Sequence, residues 1–225
     1  MFFYDWTFFL LIPALILTVY AQIRVSSTFN RFSQVRSGRG LTGAQGARML
    51  LDSAGLQNVP IEVIGGRLSD HYDPRSRTLS LSQDVANSDS LASLGVAAHE
   101  AGHALQHAEG YAAMKLRSTL VPAAGLGSQL GYILFFVGLL FFRSPAMMNL
   151  GIVLFSAAVL FTVVTLPVEL NASKRALAML ESKGILVSTE IDGARKVLRA
   201  AALTYVAAAL MALLNLVRMI LLSRR

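Results

Sequence analysis

The sequence predicts an α-helical integral membrane protein with about four transmembrane helices and a small α+β domain, on three observations. Of its 225 residues, 54% are hydrophobic and only 15% charged, and the mean hydropathy of +0.55 belongs to a membrane-embedded chain. Four apolar stretches, near 2–23, 120–142, 146–166 and 201–222, are each long enough to cross a hydrocarbon core of ~30 Å, which takes about 20 helical residues. Between them lie two polar segments, and the longer has room for a small folded domain. The expected organisation is a transmembrane anchor at 1–23, a domain at 24–117, a transmembrane hairpin at 118–168, a second insertion at 169–200, and a last transmembrane helix with its tail at 201–225.

The first apolar stretch carries Asp5 where a secretory signal has positive charge, and it lacks a small-residue cleavage site, so it reads as a retained anchor. Arg218 lies near the end of the fourth, where its side chain can snorkel to the interface. Ten Lys and Arg fall in 24–117 and six in 169–202, so sixteen of twenty lie on one side if all four spans are real. That side is expected to be cytoplasmic, with the chain in the cell membrane and its N-terminus outside, although Arg143, Arg224 and Arg225 fall on the opposite face. The net charge of +7 is thus assigned to membrane orientation, and no nucleic-acid partner is expected. The absence of cysteine excludes disulfides, thiolate ligands and thiol nucleophiles, and leaves His and carboxylates for any transition-metal site.

Within the first polar segment, Ala47, Leu50, Leu51 and Ala54 recur at helical spacing ahead of Gly55, which predicts a helix over 42–54. Residues 59–64 read as a strand at a sheet edge, because Pro60 cannot donate to a ladder. The turn-forming Asp73-Pro74-Arg75-Ser76 precedes an alternating run from Arg77 to Leu81, which predicts a hairpin, either ordinary sheet or an edge that binds substrate. Asn87, Ser88, Asp89 and Ser90 are candidate caps for a helix over 90–107. A further helix should start at Ser188 or Thr189, with Glu190 and Asp192 in its first turn, and continue into the last span. No repeats or low-complexity tracts occur.

The chemistry concentrates in His99-Glu100-Ala101-Gly102-His103. Two histidines four residues apart share one helix face and can converge on one metal, while Glu100 between them can act as general base toward a metal-activated water. With four His and six Glu in the chain, chance gives about 0.002 such spacings, so the pattern carries information. Ala101 and Gly102 leave room for a substrate or for a neighbouring helix. His107 is another turn along, ~12 Å from position 99 at ~1.5 Å per residue, too far for a shared coordination shell, and reads as a histidine on the helix surface or behind the ligands. His71 falls in the hairpin, where it reads as a turn residue or as one that orients substrate.

Catalytic zinc takes three protein ligands and leaves one position open. Glu169 stands out among downstream carboxylates because it follows the third span and Pro167, although position alone does not decide the matter. Glu181, Glu190 and Asp192 sit in ordinary helical or capping contexts.

The run Gly95–His107, together with Leu166-Pro167-Val168-Glu169-Leu170-Asn171-Ala172-Ser173-Lys174-Arg175-Ala176, resembles the YugP-type membrane neutral zinc metallopeptidases. The likeness extends over essentially the whole chain, including His71-Tyr72-Asp73-Pro74 and Leu203–Ala209. It implies a Zn2+ cofactor, Glu169 as third ligand beside His99 and His103, and a small α+β domain of zincin-like, catalytic character. A more distant resemblance, to HtpX and the CAAX prenyl proteases, implies an Asp four residues after the liganding Glu. Here that position is Ser173, so the group that orients a liganding histidine is Ser173, Asn171 or neither.

The expected function is therefore that of a membrane-embedded zinc metalloendopeptidase acting on a protein or peptide substrate, with Glu100 as general base. His71, Tyr72 and Asn171 are candidates for stabilising the oxyanion. The rival readings are a membrane chaperone or scaffold with a structural zinc site, and a basic protein that binds anionic lipid. Zinc content with chelator-sensitive hydrolysis, and liposome binding after loss of the motif, separate these classes.

Overall fold

The computed structural model describes residues 6–224, so Phe2 to Asp5 of the first predicted span and Arg225 lie outside the described residues. A 3-10 turn, Trp6–Leu11, leads into α1 (Ile12–Phe32), followed by α2 (Gly43–Ser53), β1 (Ile61–Ile64), β2 (His71–Asp73), β3 (Thr78–Ser82), α3 (Gln83–Ala86), α4 (Leu91–Ala108), α5 (Ala112–Val137), α6 (Pro145–Ser182) and α7 (Ser188–Ser223). Among the described residues, four stretches are long and apolar enough to cross a membrane: Trp6–Phe32, Ala112–Phe142, Pro145–Ser182 and Ser188–Ser223. The chain divides into two compact units, one of Met1–Gln22, Ala112–Pro167 and Leu203–Arg225, the other of Ile23–Tyr111 and Val168–Ala202.

The first unit is apolar outside as well as inside, with Phe9, Phe141 and Val153 each more than 65% exposed, a surface suited to lipid rather than water. Without a hydrophobic drive between helices in lipid, close packing of small residues supplies the contact. Gly131 of α5 and Gly151 of α6 meet backbone to backbone: a Cβ on Gly151 would lie 2.7 Å from the carbonyl oxygen of Gly131. Gly127, one turn earlier, is closed off by the Leu154 carbonyl in the same way. Phe135, Met148, Phe155, Val159, Met219 and Leu222 form the core beside this crossing. Arg218 donates to the Thr7 hydroxyl at 3.3 Å and lies 5.9 and 6.0 Å from the ring centres of Phe8 and Phe136. Its guanidinium therefore has protein partners, beyond the snorkelling its position suggests.

The second unit is built around α4. Ser90 caps that helix by accepting from the Ser93 amide, and Thr42 with Gln45 forms a reciprocal capping box on α2. The expected 42–54 and 90–107 helices thus form within a residue or so of their predicted ends. The sheet runs in the order β1-β3-β2, with β1 parallel and β2 antiparallel to β3. Pro60 does precede an edge strand, but the alternating run at 77–81 is the central strand and all five residues of β3 are buried. β2 forms the other edge. Asp70 accepts from the amide and hydroxyl of Ser82 and so fastens the loop before β2 to the start of α3.

The third span does not stop at Leu166. Helix α6 continues through Pro167 to Ser182, which carries Glu169, Asn171 and Ser173 on a rigid element instead of a loop. Its second-unit portion meets α4 at Gly102, where an added Cβ would lie 2.7 Å from the Ala172 carbonyl oxygen. The small residue thus makes room for a helix, one of its two expected uses. Gly102→Ala is expected to cost about 1–3 kcal/mol through overpacking against backbone. Gly125→Ala, with nothing within 4 Å of the added carbon, should leave the melting temperature in detergent unchanged or slightly higher. Equal melting temperatures for Gly102→Ala and the wild type would show that α4 and α6 are not held that closely.

Candidate active site

Helix α4 presents His99 and His103 one turn apart, with ring centres 4.7 Å apart and planes nearly perpendicular. Glu169 of α6 faces both: its Oε2 stands 3.1 Å from His99 Nε2 and 3.4 Å from His103 Nε2. All three ligand atoms lie within 4.8 Å of one another. Two donors on bonds of about 2.05 Å at a tetrahedral angle are separated by about 3.3 Å. The donor set and its spacing therefore fit zinc, and their burial suits it too, since Glu169 is 2% exposed and His103 6%. Burial alone would lower the proton affinity of His103, but the hydrogen bond it donates to Glu169 and the nearby charges of Glu100 and Glu169 outweigh it and raise the pKa.

Glu100, also buried, lies on α4 between the two histidines. The hydrogen bonds behind the rings divide between two helices. Ser173 Oγ is 3.1 Å from His99 Nδ1, so one of the two expected partners does reach a histidine directly. Asn171 does not, because Gln106 intervenes: Gln106 Oε1 lies 3.0 Å from His103 Nδ1, while its Nε2 donates to Asn171 Oδ1 at 2.9 Å and to the Val168 carbonyl at 2.8 Å. Gln106 is fully buried and was the site residue that pattern reading passed over. Its only sequence signal is a position three residues after His103, on a face that helical spacing already assigns to the site.

His107 stays outside the cluster. Its Nδ1 is 2.8 Å from the Tyr72 hydroxyl, and burial pushes that phenol's pKa upward against the opposing effect of Arg77. Tyr72, Arg77, Ala104 and His107 line a cavity of about 210 Å³ beside α4. A larger cavity of about 720 Å³, bordered by Asn30, Arg67 and Asp84, includes none of the clustered ligands. His71 is exposed on β2 and its Nδ1 donates to the Ser69 carbonyl at 2.9 Å. Glu181 is exposed, Asp192 pairs with Arg195, and Glu190 accepts from the amides of Val187 and Gly38, so these carboxylates keep their helical and capping roles.

The described residues thus combine a two-histidine, one-carboxylate cluster that could hold a metal ion with four helices long and apolar enough to cross a membrane. The chain belongs to the family described as "Putative neutral zinc metallopeptidase", which matches residues 7–224. It is 48% identical over 212 residues to the "Putative membrane protease YugP" of Bacillus subtilis (strain 168), covering 94% of each chain. No solved structure matches it. Zinc is the metal of this family, and the buried His99, His103 and Glu169 cluster is compatible with it.

Replacing Glu169 by Gln should weaken zinc binding and bring the melting temperature down to that of the metal-free protein. The loss is the stabilisation a bound metal contributes, about 2.7 kcal/mol at a hundredfold excess over Kd. Glu181→Gln, on an exposed residue, should change neither quantity. Zinc stoichiometry and melting curves of the two variants make the comparison, and zinc loss in Glu181→Gln with retention in Glu169→Gln would reassign the third ligand.

Proposed function

We propose that the protein is a zinc-dependent endopeptidase of the cell membrane, with His99, His103 and Glu169 holding the metal and Glu100 acting as general base on a protein or peptide substrate. The observation that carries this reading is the convergence of three ligand atoms within 4.8 Å, two of them from α4, which also carries the buried Glu100, and one from α6. The second unit, with its motif helix packed beside a sheet that has an antiparallel edge strand, supports likening the 24–117 and 169–200 segments to a zincin-like catalytic domain. As an edge strand, β2 is placed to pair with an extended peptide, and the cavity that its Tyr72 lines has room for a side chain.

When bound, zinc lowers the pKa of a water molecule and polarises the scissile carbonyl. Glu100 would accept a proton from the attacking water at its carboxylate and deliver it to the leaving nitrogen, so that one amide and one water become a carboxylic acid and an amine. Gln106 and Ser173 hold the rings of His103 and His99. Tyr72, half-buried and with its proton retained by burial, remains a candidate for the oxyanion.

Glu100→Gln keeps the size of the side chain and removes the proton acceptor, so it should bind zinc as the wild type does and lose at least about 100-fold in hydrolysis, the usual contribution of a general base. Zinc analysis alongside cleavage of a peptide library checks both halves. Retained hydrolysis would remove Glu100 from the reaction.

The active site is assigned to the cytoplasmic side from the sixteen basic residues of the 24–117 and 169–202 segments. The chain has no cysteine of its own, so single cysteines placed at Ser69 and Ser182 report directly. Both should resist an impermeant thiol reagent in intact cells and react after permeabilisation, whereas labelling of both from outside would invert the topology.

A further inference from the structure

We propose that Gln106 is a positioning residue that holds His103 as the tautomer with a free Nε2 lone pair and fixes the backbone beside Glu169, setting two of the three zinc donors at once. The inference rests on the reading of His99, His103 and Glu169 as metal ligands. Its basis is the direction of each hydrogen bond, which the chemistry of the partners dictates.

A backbone carbonyl can only accept. The Gln106 atom 2.8 Å from the Val168 oxygen is therefore the amide nitrogen, and its second N–H points to Asn171 Oδ1 at 2.9 Å. That orientation is locked from the far side as well. A guanidinium can only donate, and Arg175 Nε lies 2.7 Å from the same Asn171 oxygen while its Nη1 pairs with Glu109 Oε2 at 2.7 Å. With both N–H groups committed, Gln106 turns its oxygen toward His103 Nδ1 at 3.0 Å, and Nδ1 must carry the proton. Nε2 is then left as the donor to a metal. The competing acceptor is Glu169 Oε2, 3.4 Å from Nε2; without Gln106 it would draw the ring proton onto the atom that has to bind zinc.

The other histidine has no such constraint. Ser173 Oγ, 3.1 Å from His99 Nδ1, is a rotatable hydroxyl that serves equally as donor or acceptor. The two rings therefore differ in how firmly they are held, and the bond to Val168 gives Gln106 a purchase on the residue next to Glu169 that Ser173 lacks.

The test uses the full-length protein in detergent, with zinc affinity from chelator competition, melting temperature of the zinc-free form, and 15N signals of the four histidine rings. Gln106→Met, similar in length but without the amide, should weaken zinc binding by about 10–100-fold. In the zinc-free variant the His103 ring should shift from the Nδ1–H toward the Nε2–H form. Ser173→Ala should lose less affinity than Gln106→Met. Should Gln106→Met fail to fold, Asn171→Leu removes one of the two acceptors that orient the amide and should cost several-fold in zinc affinity, with Asn171→Asp retaining more of it. An affinity within twofold of wild type in Gln106→Met, with only a lower zinc-free melting temperature, would overturn the proposal and leave Gln106 a packing residue. A wild type that binds no zinc, or a His103→Ala variant that binds it as tightly, would overturn the metal reading beneath it, and that result is distinguishable because it does not involve Gln106.

Discussion

A carboxylate 2% exposed between two imidazoles is the constraint on which the second unit depends. Taking Glu169 out of water would cost several kcal/mol if nothing compensated it, and the compensation comes from another helix, through His99 and His103 at 3.1 and 3.4 Å. A shift of either helix by an ångström or two would leave the carboxylate buried and unpaired. Everything that sets the separation of α4 and α6 therefore bears on whether the site exists.

The separation is set first by small side chains. Ala97, Ala98, Ala101 and Ala104 are buried along α4, Ala172 and Ala176 on α6, and Gly102 lets the α4 backbone come against the Ala172 carbonyl. Such a contact is short but without direction, since alanine surfaces slide. Polar contacts fix the register. The Gln106 amide ties α4 to Val168 and Asn171, and the ion pair between Glu109 and Arg175 ties the end of α4 to the same helix one turn further on. Burying the Gln106 amide is tolerable because both its N–H groups and its oxygen have partners.

The parts of this arrangement that were legible in the sequence are local. The spacing of His99 and His103, the Ser90 and Thr42 caps and the turn ahead of Arg77 depend on residues within a few positions of one another. The parts that were not legible depend on partners far along the chain. Gln106 looks like any helical glutamine until α6 is placed beside it. Pro167 reads as the end of a span, yet α6 runs through it, because a proline removes one helical hydrogen bond and packing on either side can outweigh that loss. The alternating run at 77–81 predicts a hairpin strand but not its place in the sheet, whereas β3 has a neighbour on each side and is buried along its length. The crossing of Gly131 with Gly151 was likewise hidden, since the Gly127 and Gly131 spacing says only that a helix can approach and not which one will.

The basic residues that suggest the chain's orientation also serve the fold, which bears on what the positive charge is for. Arg48, in the middle of α2, donates to the carbonyls of Val59 and Leu56 and fastens that helix to the approach to β1. Arg39 donates to the Gly184 carbonyl at the turn after α6, and Arg175 joins Asn171 to Glu109. An arginine whose fork is already engaged with backbone or carboxylate oxygens is poorly placed to grip a phosphate backbone, which would have to displace those bonds. Arg39, Arg48 and Arg175 thus supply donors for loop, helix-end and side-chain oxygens in a domain with little sheet.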